Sequence, residues 1–318
     1  MKKKLLFIAP NYYGFNEVVY QGLQSFSDYE VIEIDSTRPY KYKNICEKIY
    51  NFLLKTFKGY NLKKIKTELY IQQTIEKFEQ YDLLLVNRPD ILTKTTLESA
   101  IAKSKNSKVI LWDSLKKIPQ PDGYLAKFND VLSFDPDDCL KFGFTPITNF
   151  YFKEAQNSEM NFDVALLMTY DSRIKDAIKL FRYFERHEIK AKAKIFVSQK
   201  DEIKERLPKG MEVIRQIIPF EKSCEYYYDS KAILDLSHPH QKGLSFRPFE
   251  ALGLEKKLIT TAKNVESLEF YNTTNVLYLK DIDNIKFPVE FLKDEYLKPS
   301  LEITKRYSLK NWVESITS

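Results

Sequence analysis

The chain has 318 residues, of which 43% are hydrophobic and 30% are charged, and its net charge is +6 at neutral pH. This length predicts about two domains, and 21 tyrosines with 22 phenylalanines exclude a disordered composition. No apolar run reaches the roughly 18 residues of a membrane span. The apolar N-terminus, MKKKLLFIAP, lacks a cleavage site, so we expect a cytoplasmic protein.

In the first half of the chain, short apolar segments typical of strands alternate with longer segments of helical periodicity. This alternation predicts a parallel sheet covered by helices. We predict strands at Lys4–Ala9, Glu30–Asp35, Leu83–Asn87, Lys108–Trp112 and Asp130–Ser133, and helices at Glu17–Phe26 and Leu62–Tyr81.

Segment 38–66 interrupts this pattern with nine Lys and Arg residues against a single acid, Glu47. Aromatic and aliphatic residues are interleaved with the basic ones. Two interpretations stay open: a basic amphipathic surface for an anionic membrane or a phosphorylated acceptor, or a solvated helix face over a core. Nucleic acid is not expected as a partner, because no recognised nucleic-acid motif accompanies the charge.

The second half begins with a polar, irregular segment at 146–160, which predicts an interdomain linker. The alternation then resumes and predicts a second α/β lobe that ends in an amphipathic helix within 303–318. We predict strands at Asp163–Met168, Lys194–Val197, Glu212–Gln216, Ala232–Leu236, Lys257–Thr260 and Val276–Leu279, and a helix at Asp176–His187.

Several common chemistries lack their motifs in this sequence. GxGxxG, GxxxxGK[ST] and GxSxG are all missing, which disfavours nicotinamide binding, P-loop phosphoryl transfer and serine hydrolysis. The DxD at Asp135–Asp137 is predicted to be a helix cap with proline at the first helical position. The cysteines stand far apart without metal-ligand spacing, so we predict reduced thiols and no metal site.

The most informative stretch is 232–261, AILDLSHPHQKGLSFRPFEALGLEKKLITT. A buried strand ends in HPHQKG, a helix begins near Phe246 and ends near Gly253, and a second strand follows. A loop and a helix N-terminus at the carboxyl end of a strand form an anion-binding corner. Arg247 adds a bidentate donor for phosphate, and Glu250 can accept hydrogen bonds from two ribose hydroxyls.

This stretch resembles the donor-binding segment of glycosyltransferases with the GT-B fold, which has two Rossmann-like lobes. The family pattern is a pair of Glu residues, of which the second is followed by Ala and typically holds the ribose of the donor. That second Glu maps to Glu250 of FEALGLEKKLITT. Lys242 stands where the first Glu would fall, so inverting and retaining mechanisms both stay open.

The chain also resembles the bacterial lipopolysaccharide and capsular polysaccharide biosynthesis transferases of the CgeB-like group. This resemblance covers most of the chain, and it is carried by VNRPD (86–90), VILWDSLKKIP (109–119), FNDVLSFDPDDCLKFGF (128–144) and YSLKNWVESI (307–316).

The resemblance implies two Rossmann-like lobes with a cleft between them and a C-terminal helix that crosses back to the first lobe. The first lobe would be 1–153, would bind the acceptor and would be completed by 302–318. The second lobe would be 158–301 and would bind the nucleotide sugar.

The function implied is a hexosyltransferase-like, metal-independent glycosyltransferase without a cofactor. It would move a sugar from a nucleotide-activated donor to a cell-envelope glycan or a lipid-linked saccharide. Contact of segment 38–66 with anionic lipid would place it at the inner face of the plasma membrane. The alternatives are a catalytically idle GT-B module that binds a nucleotide or glycan, a nucleotide-sugar epimerase, and a binding protein of the periplasmic type, which the missing signal peptide disfavours.

The candidate site residues follow strands, because ligands in open parallel sheets bind beyond the carboxyl ends of the strands. On the acceptor side, Asp113 and Glu17 are the candidates for the general base that takes the acceptor's proton, and Asn11, Asn16 and Arg88 are candidate acceptor ligands. The candidate donor ligands are Glu250, Arg247, Arg173, His238, His240, Gly243 and Ser245.

Overall fold

The computed structural model describes residues 2–238 and 242–318 of the chain. These residues form two compact units, which divide between Ile147 and Thr148. The division falls inside the segment predicted as a linker. Within the described residues, no helix is long and apolar enough to cross a membrane.

The first unit is a six-stranded parallel sheet flanked by helices, with strand order β2-β1-β3-β4-β5-β6. The central strands are nearly continuous apolar runs, as expected for a sheet that is covered on both faces. Its strands are β1 Lys3–Ala9, β2 Tyr29–Asp35, β3 Tyr81–Asn87, β4 Ser104–Leu111, β5 Asp130–Ser133 and β6 Thr145–Pro146, and its helices are α1 Phe15–Phe26, α2 Ile45–Lys58, α3 Leu62–Ile75, α4 Lys94–Ala102 and α5 Pro136–Phe142.

Helix α3 ends at Ile75, six residues before the predicted end at Tyr81. Tyr81 instead begins β3 and is fully buried. Its hydroxyl donates to the carbonyl oxygens of Thr74 and Ile75, each at 3.1 Å. The tyrosine therefore satisfies carbonyls that the last turn of α3 leaves without a helical partner.

The second unit repeats the architecture with a second six-stranded parallel sheet of order β12-β11-β10-β7-β8-β9. The chain therefore has the predicted α/β fold of two Rossmann-like units. The strands are β7 Phe162–Thr169, β8 Ala191–Phe196, β9 Met211–Ile214, β10 Ser230–Asp235, β11 Lys257–Thr260 and β12 Val276–Tyr278, and the helices are α6 Ile174–Arg186, α7 Phe220–Ser223, α8 Arg247–Gly253, α9 Leu301–Arg306 and α10 Leu309–Thr317.

The predicted C-terminal helix is divided into two helices, α9 and α10, because Tyr307 and Ser308 between them are not helical. There Tyr151 pairs with the chain end: its N–H donates to Tyr307 at 2.9 Å, and its carbonyl accepts from Leu309 at 2.8 Å. Ser308 caps α10 through its side chain. The prediction that the C-terminal helix completes the first lobe stays a prediction.

Gly253 in helix α8 lies against the segment that the chain end holds in place. A Cβ at this position would stand 2.5 Å from ring atoms of Tyr151 and 2.7 Å from the carbonyl oxygen of Lys153. The backbone of α8 can approach this segment closely only because residue 253 has no side chain.

We expect Gly253→Ala to lower the free energy of unfolding by roughly 1–3 kcal/mol, since the added methyl group overpacks a buried contact. Urea unfolding followed by circular dichroism measures the change. Ser25→Ala, at an exposed position of α1, is the control and is expected to stay within about 0.5 kcal/mol of the parent. Equal stability of Gly253→Ala and the parent would contradict this packing.

Candidate functional site

The carboxyl ends of β7, β10 and β11 lie side by side in the second sheet. The loops that follow these strands carry Arg173, the pair Ser237 and His238, and Thr261. Ser237 and Thr261 join two of the loops, since the Ser237 N–H donates to the Thr261 hydroxyl oxygen at 2.9 Å. Polar side chains from three strand ends therefore share one edge of the sheet.

A buried carboxylate, Asp235, ends strand β10 at the centre of this edge. Its oxygens accept from the hydroxyls of Ser245 and Thr260 at 2.9 and 2.8 Å. Burial raises the pKa of Asp235, while its two hydroxyl donors and the charges of Arg247 and Arg173 oppose that rise. Asp235 thus holds the loop of Ser245 and the end of β11 at the end of β10. The sequence analysis missed this residue, although a lone Asp in AILDLS is a visible signal.

Arg173 follows β7 and is anchored to its own loop and to the next strand. One N–H each of Nε and Nη2 bonds the Asp171 carboxylate, at 3.0 and 2.6 Å, and Nη1 donates to the Leu236 carbonyl at 2.7 Å. Although burial opposes it, the guanidinium lowers the pKa of Asp171 through hydrogen bonds and charge, and His238 adds to this effect. A guanidinium has five N–H donors, and these bonds to described residues use three of them.

Arg247 and Glu250 form an ion pair at the start of helix α8. The Glu250 side chain is 0% exposed and that of Arg247 is 21% exposed. Burial works against the charge of Arg247, yet the Glu250 carboxylate and Tyr227 raise the pKa of the guanidinium above its ordinary value. The Glu250 carboxylate thus balances the positive charge of the Arg247 guanidinium inside the protein.

Helix α7 and the turn after it also surround Glu250. The sequence analysis did not identify their residues as part of the site. The Ser223 hydroxyl donates to Glu250 Oε1 at 3.2 Å, and the Cys224 thiol lies 3.7 Å from the same oxygen. Tyr227 is fully buried, with its ring centroid 5.2 Å from the Arg247 guanidinium carbon. Among the described residues, its hydroxyl has no hydrogen-bond partner.

A buried hydroxyl without a partner is costly. The Tyr227 hydroxyl is therefore a polar atom beside the ion pair that a bound ligand or water would satisfy. Burial also raises its pKa well above the ordinary value, so it stays a neutral donor.

The remaining donor-side candidates lie on the same loop. The Ser245 hydroxyl donates to Asp235, and its oxygen accepts from the backbone N–H of Arg247 at 3.1 Å. His238 and Gly243 are half-buried. His240 lies outside the described residues. The structure thus brings Arg173, Arg247, Ser245 and His238 to one edge, whereas Glu250 lies inside the protein behind Arg247.

In the first unit, the candidates separate into two groups. Arg88, just after β3, bonds Asp90 through Nε and Nη2, each at 2.8 Å, and lies 5.9 Å from the ring centroid of Tyr12. The Asp90 bond raises the pKa of Arg88, with Tyr12 and Asp113 adding to it. Asp113 itself bonds Lys117 Nζ at 2.5 Å.

Two loops at this sheet edge contain residues in the left-handed region: φ is +57° at Tyr13 and +61° at Arg88. Non-glycine residues rarely adopt this conformation, and such strain concentrates at functional sites. Glu188 and Glu255 of the second unit have the same conformation, so it does not by itself assign a binding role to the edge of Asn11, Arg88 and Asp113.

Asn16 and Asn11 have structural contacts in the β1–α1 connection. The Asn16 amide is buried, donates to the Pro10 carbonyl and accepts from Asn87 at 3.4 Å. The Asn11 N–H donates to the Asp35 carboxylate at 3.1 Å, and its own side chain is exposed. Asn16 therefore holds the loop in shape, and Asn11 is the more accessible of the two candidates.

Glu17 belongs to a second group, on helix α1 beside strand β2. Its carboxylate accepts from Gln21 at 2.8 Å. Burial raises the pKa of the neighbouring Glu33 to about 7, and the charges of Glu17 and Asp35 add to the rise. Glu33, whose pKa the charge of Glu17 helps to raise, therefore keeps its proton to a higher pH than an ordinary glutamate.

The DxD motif is a helix cap, as predicted: Asp135 accepts from the N–H groups of Asp137 and Asp138 at 3.0 and 3.2 Å. Within residues 2–238 and 242–318, no group of three or more His, Cys, Asp or Glu side chains could hold a metal ion. The cysteines among them are free thiols.

No family model matches the chain, and comparison with curated proteins found no relative. Solved structures do resemble it. The structure described as "Trehalose-6-phosphate from E. coli bound with UDP-2-fluoro glucose" has a TM-score of 0.55 at 10% identity, with 99% of this chain and 98% of that chain covered.

A putative UDP-N-acetylglucosamine 2-epimerase from Listeria monocytogenes has a TM-score of 0.52 at 12% identity, with 99% of this chain and 95% of that chain covered. A further UDP-N-acetylglucosamine 2-epimerase has a TM-score of 0.50 at 13% identity, with 100% and 95% covered. At these identities the likeness shows the fold alone, and that fold is GT-B.

We expect Glu33→Gln to stabilise the protein at pH 8 and to leave it unchanged near pH 4.5. The folded-state pKa of about 7 exceeds the ordinary 4.5, so the folded protein binds the extra proton between these values and loses stability as the pH rises through them. Since Glu33 is only half-buried, solvent screening reduces the gain at pH 8 to about 1 kcal/mol.

Urea unfolding at the two pH values measures this difference. Glu30→Gln, at an exposed position of the same strand, is the control, and it should have no effect at either pH. A gain for Glu33→Gln that is equal at both pH values would contradict the assigned protonation.

Proposed function

We propose that this protein is a nucleotide-sugar-dependent glycosyltransferase whose donor binds at the carboxyl edge of the second sheet. The observation that carries the proposal is that two arginines are held at this edge. Arg173 donates to the Leu236 carbonyl just after β10, and the backbone N–H of Arg247 donates to Ser245, which bonds Asp235 at the end of β10. Next to Arg247 lies Tyr227, whose buried hydroxyl has no hydrogen-bond partner among the described residues. Two guanidiniums at the carboxyl edge of a parallel sheet suit a diphosphate. The E. coli structure of the same fold is described with UDP-2-fluoro glucose, which supports this class of ligand.

In this proposal the arginines stabilise the leaving group. Cleavage of the glycosidic bond in a nucleotide sugar develops negative charge on the diphosphate. Arg173 and Arg247 are already held by Asp171 and Glu250, so they can meet that charge with little reorganisation. Fixed cationic side chains then take the place of a divalent metal, and the proposed reaction is metal-independent.

Glu250 is proposed to hold the ribose hydroxyls, as the resemblance implies, but the carboxylate has to become accessible first. Its bonds to Ser223 and Cys224 are long, at 3.2 and 3.7 Å. These are the bonds that ribose hydroxyls would replace, whereas the ion pair with Arg247 would stay.

The acceptor is proposed to meet the first unit, where Asn11 and Arg88 offer hydrogen-bond donors at the carboxyl edge of its sheet. Asp113 is the proposed general base, since it follows β4 at that edge, and Glu17 is the alternative. Removing the proton of an acceptor hydroxyl requires a base within hydrogen-bond reach of it. A cell-envelope glycan or lipid-linked saccharide is proposed as the acceptor on the strength of the sequence resemblance.

A nucleotide-sugar epimerase is the second candidate, because two structures of the same fold are UDP-N-acetylglucosamine 2-epimerases. Such an enzyme and a transferase would share the donor site. They differ in whether the sugar changes without an acceptor.

We expect UDP to raise the thermal unfolding midpoint of the parent protein, because a ligand that binds only the native state stabilises it by about 2.7 kcal/mol at a hundredfold excess over Kd. Arg173→Gln should reduce the affinity for UDP at least roughly tenfold, since each charge-assisted bond contributes about 1.5–3 kcal/mol. The control is Arg182→Gln, at an exposed arginine of the next helix, which should keep the parent's shift.

A shift in the parent that Arg173→Gln and Arg182→Gln share equally would place UDP elsewhere and contradict the proposed site. No shift with UDP or any other nucleoside diphosphate would contradict nucleotide-sugar binding altogether and favour an idle module.

We expect UDP-N-acetylglucosamine to remain unchanged at C2 when it is incubated with the protein alone, because a transferase needs an acceptor. Proton NMR of the sugar follows the reaction directly. Appearance of the C2 epimer without an acceptor would overturn the transferase proposal in favour of the epimerase, while leaving the donor site in place.

A further inference from the structure

Helix α2 is amphipathic, but its apolar face is exposed, whereas a helix that covers a core buries that face. Its residue Asn51 is buried, and only Glu47 and Leu54 among the others are half-buried. A group of apolar residues on the helix is exposed instead, with Ile49 at 56%, Phe52 at 67% and Phe57 at 79%. We call this group the α2 surface, and its members are Ile45, Ile49, Phe52, Leu53 and Phe57.

The polar face of α2 is the side fixed to the protein. Asn51 bonds the Tyr42 hydroxyl at 2.5 Å and accepts from the Leu62 N–H at 2.7 Å, and this joins the helix to the preceding loop and to α3. Glu47 accepts from the Tyr40 hydroxyl and the Lys43 N–H, each at 2.7 Å. Hydrogen bonds thus hold the helix with its apolar face outward, so the interpretation of 38–66 as a solvated face over a core is wrong for α2.

The charge around the α2 surface is positive. Lys48 and Lys55 lie next to the apolar arc of the helix, since residues advance by about 100° each, and both are exposed. The single acid of the segment, Glu47, is committed to the loop: the Lys43 N–H and the Tyr40 hydroxyl lower its pKa.

The loop that leads into α2 adds a basic pocket of about 620 Å³ between itself and α3. Arg38, Lys41 and Lys66 line it together with Tyr40 and Tyr70, and none of its described lining residues is acidic. Arg38 stacks over the Tyr70 ring at 4.3 Å, and the Thr67 hydroxyl donates to the Arg38 carbonyl at 3.1 Å. The pocket thus offers three basic side chains to an anionic group, at the loop that leads into α2.

We propose that the α2 surface docks on an anionic lipid bilayer, with its apolar side chains at the acyl boundary and the basic pocket on a headgroup phosphate. Exposed apolar residues bordered by lysines are what such a surface requires. A second copy of this chain would bring like charges together, so charge complementarity favours the lipid. The proposal is independent of the donor site in the second unit.

Flotation with vesicles tests the proposal, using phosphatidylcholine alone and an equimolar mixture with phosphatidylglycerol. The full chain should float with the anionic vesicles and release at high salt. Lys48→Glu with Lys55→Glu should weaken partitioning roughly 30-fold or more, because each lysine near an anionic surface contributes about 1 kcal/mol. Ile49→Ser with Phe52→Ser should weaken it roughly tenfold or more through lost apolar burial.

Matched controls change exposed residues elsewhere on the chain: Lys94→Glu with Lys209→Glu for charge, and Leu140→Ser for apolar area. These should float like the parent. All substitutions lie at exposed positions, and unchanged circular dichroism confirms the fold of each variant.

Failure of the parent to float with anionic vesicles would overturn the proposal, as would equal flotation of the α2 variants and their controls. Sedimentation of the parent as a dimer that Phe52→Ser dissociates would also overturn it, in favour of a second copy as the occupant.

Discussion

The structure of the second unit depends on how its two buried carboxylates, Asp235 and Glu250, are stabilised away from water. Asp235 ends a central strand, and Glu250 lies on a helix whose side chains are buried. A buried carboxylate has to be hydrogen-bonded or paired. Ser245 and Thr260 donate hydrogen bonds to Asp235. Glu250 is paired with Arg247 and accepts from Ser223. These bonds join the loop before α8, the end of β11 and the end of α7.

This arrangement also concentrates positive charge at the sheet edge. Arg247 balances the buried negative charge of Glu250, and Arg173 is held by Asp171 and the Leu236 carbonyl. The same bonds that stabilise the fold therefore fix two guanidiniums at the proposed diphosphate site. Near Arg247, the buried Tyr227 hydroxyl has no hydrogen-bond partner among the described residues, a cost that calls for an explanation such as a functional role.

The architecture was predictable from the sequence because apolar strands and helical stretches alternate strongly. Strands β5 and β11 have the predicted bounds, the other predicted strands differ by a few residues at their ends, and the short strand β6 was not predicted. The errors occur where tertiary contacts decide: Tyr81 belongs to β3 and not to the preceding helix, and pairing with Tyr151 interrupts the C-terminal helix at Ser308. Periodicity within a segment carries no information about such distant partners.

The site was predictable in position and less so in detail. Residues placed after strands, such as Arg173 and Ser245, do meet at one edge, since parallel strands end together. Glu250 was expected to face a ligand, yet it faces Ser223 and Arg247, because a sequence does not reveal which side of a short helix is covered. Tyr227 was missed because its importance comes from burial, whereas Asp235 was visible in the sequence as the lone acid of AILDLS and was overlooked.

Hydrogen exchange of the backbone amides with and without UDP tests the central claim most directly. Binding at the carboxyl edge of the second sheet predicts slower exchange in 171–174, 236–238 and 242–250, with the loops at 10–14 and 88–90 unchanged. Slower exchange in those first-unit loops alone, or no change anywhere at saturating UDP, would contradict the account.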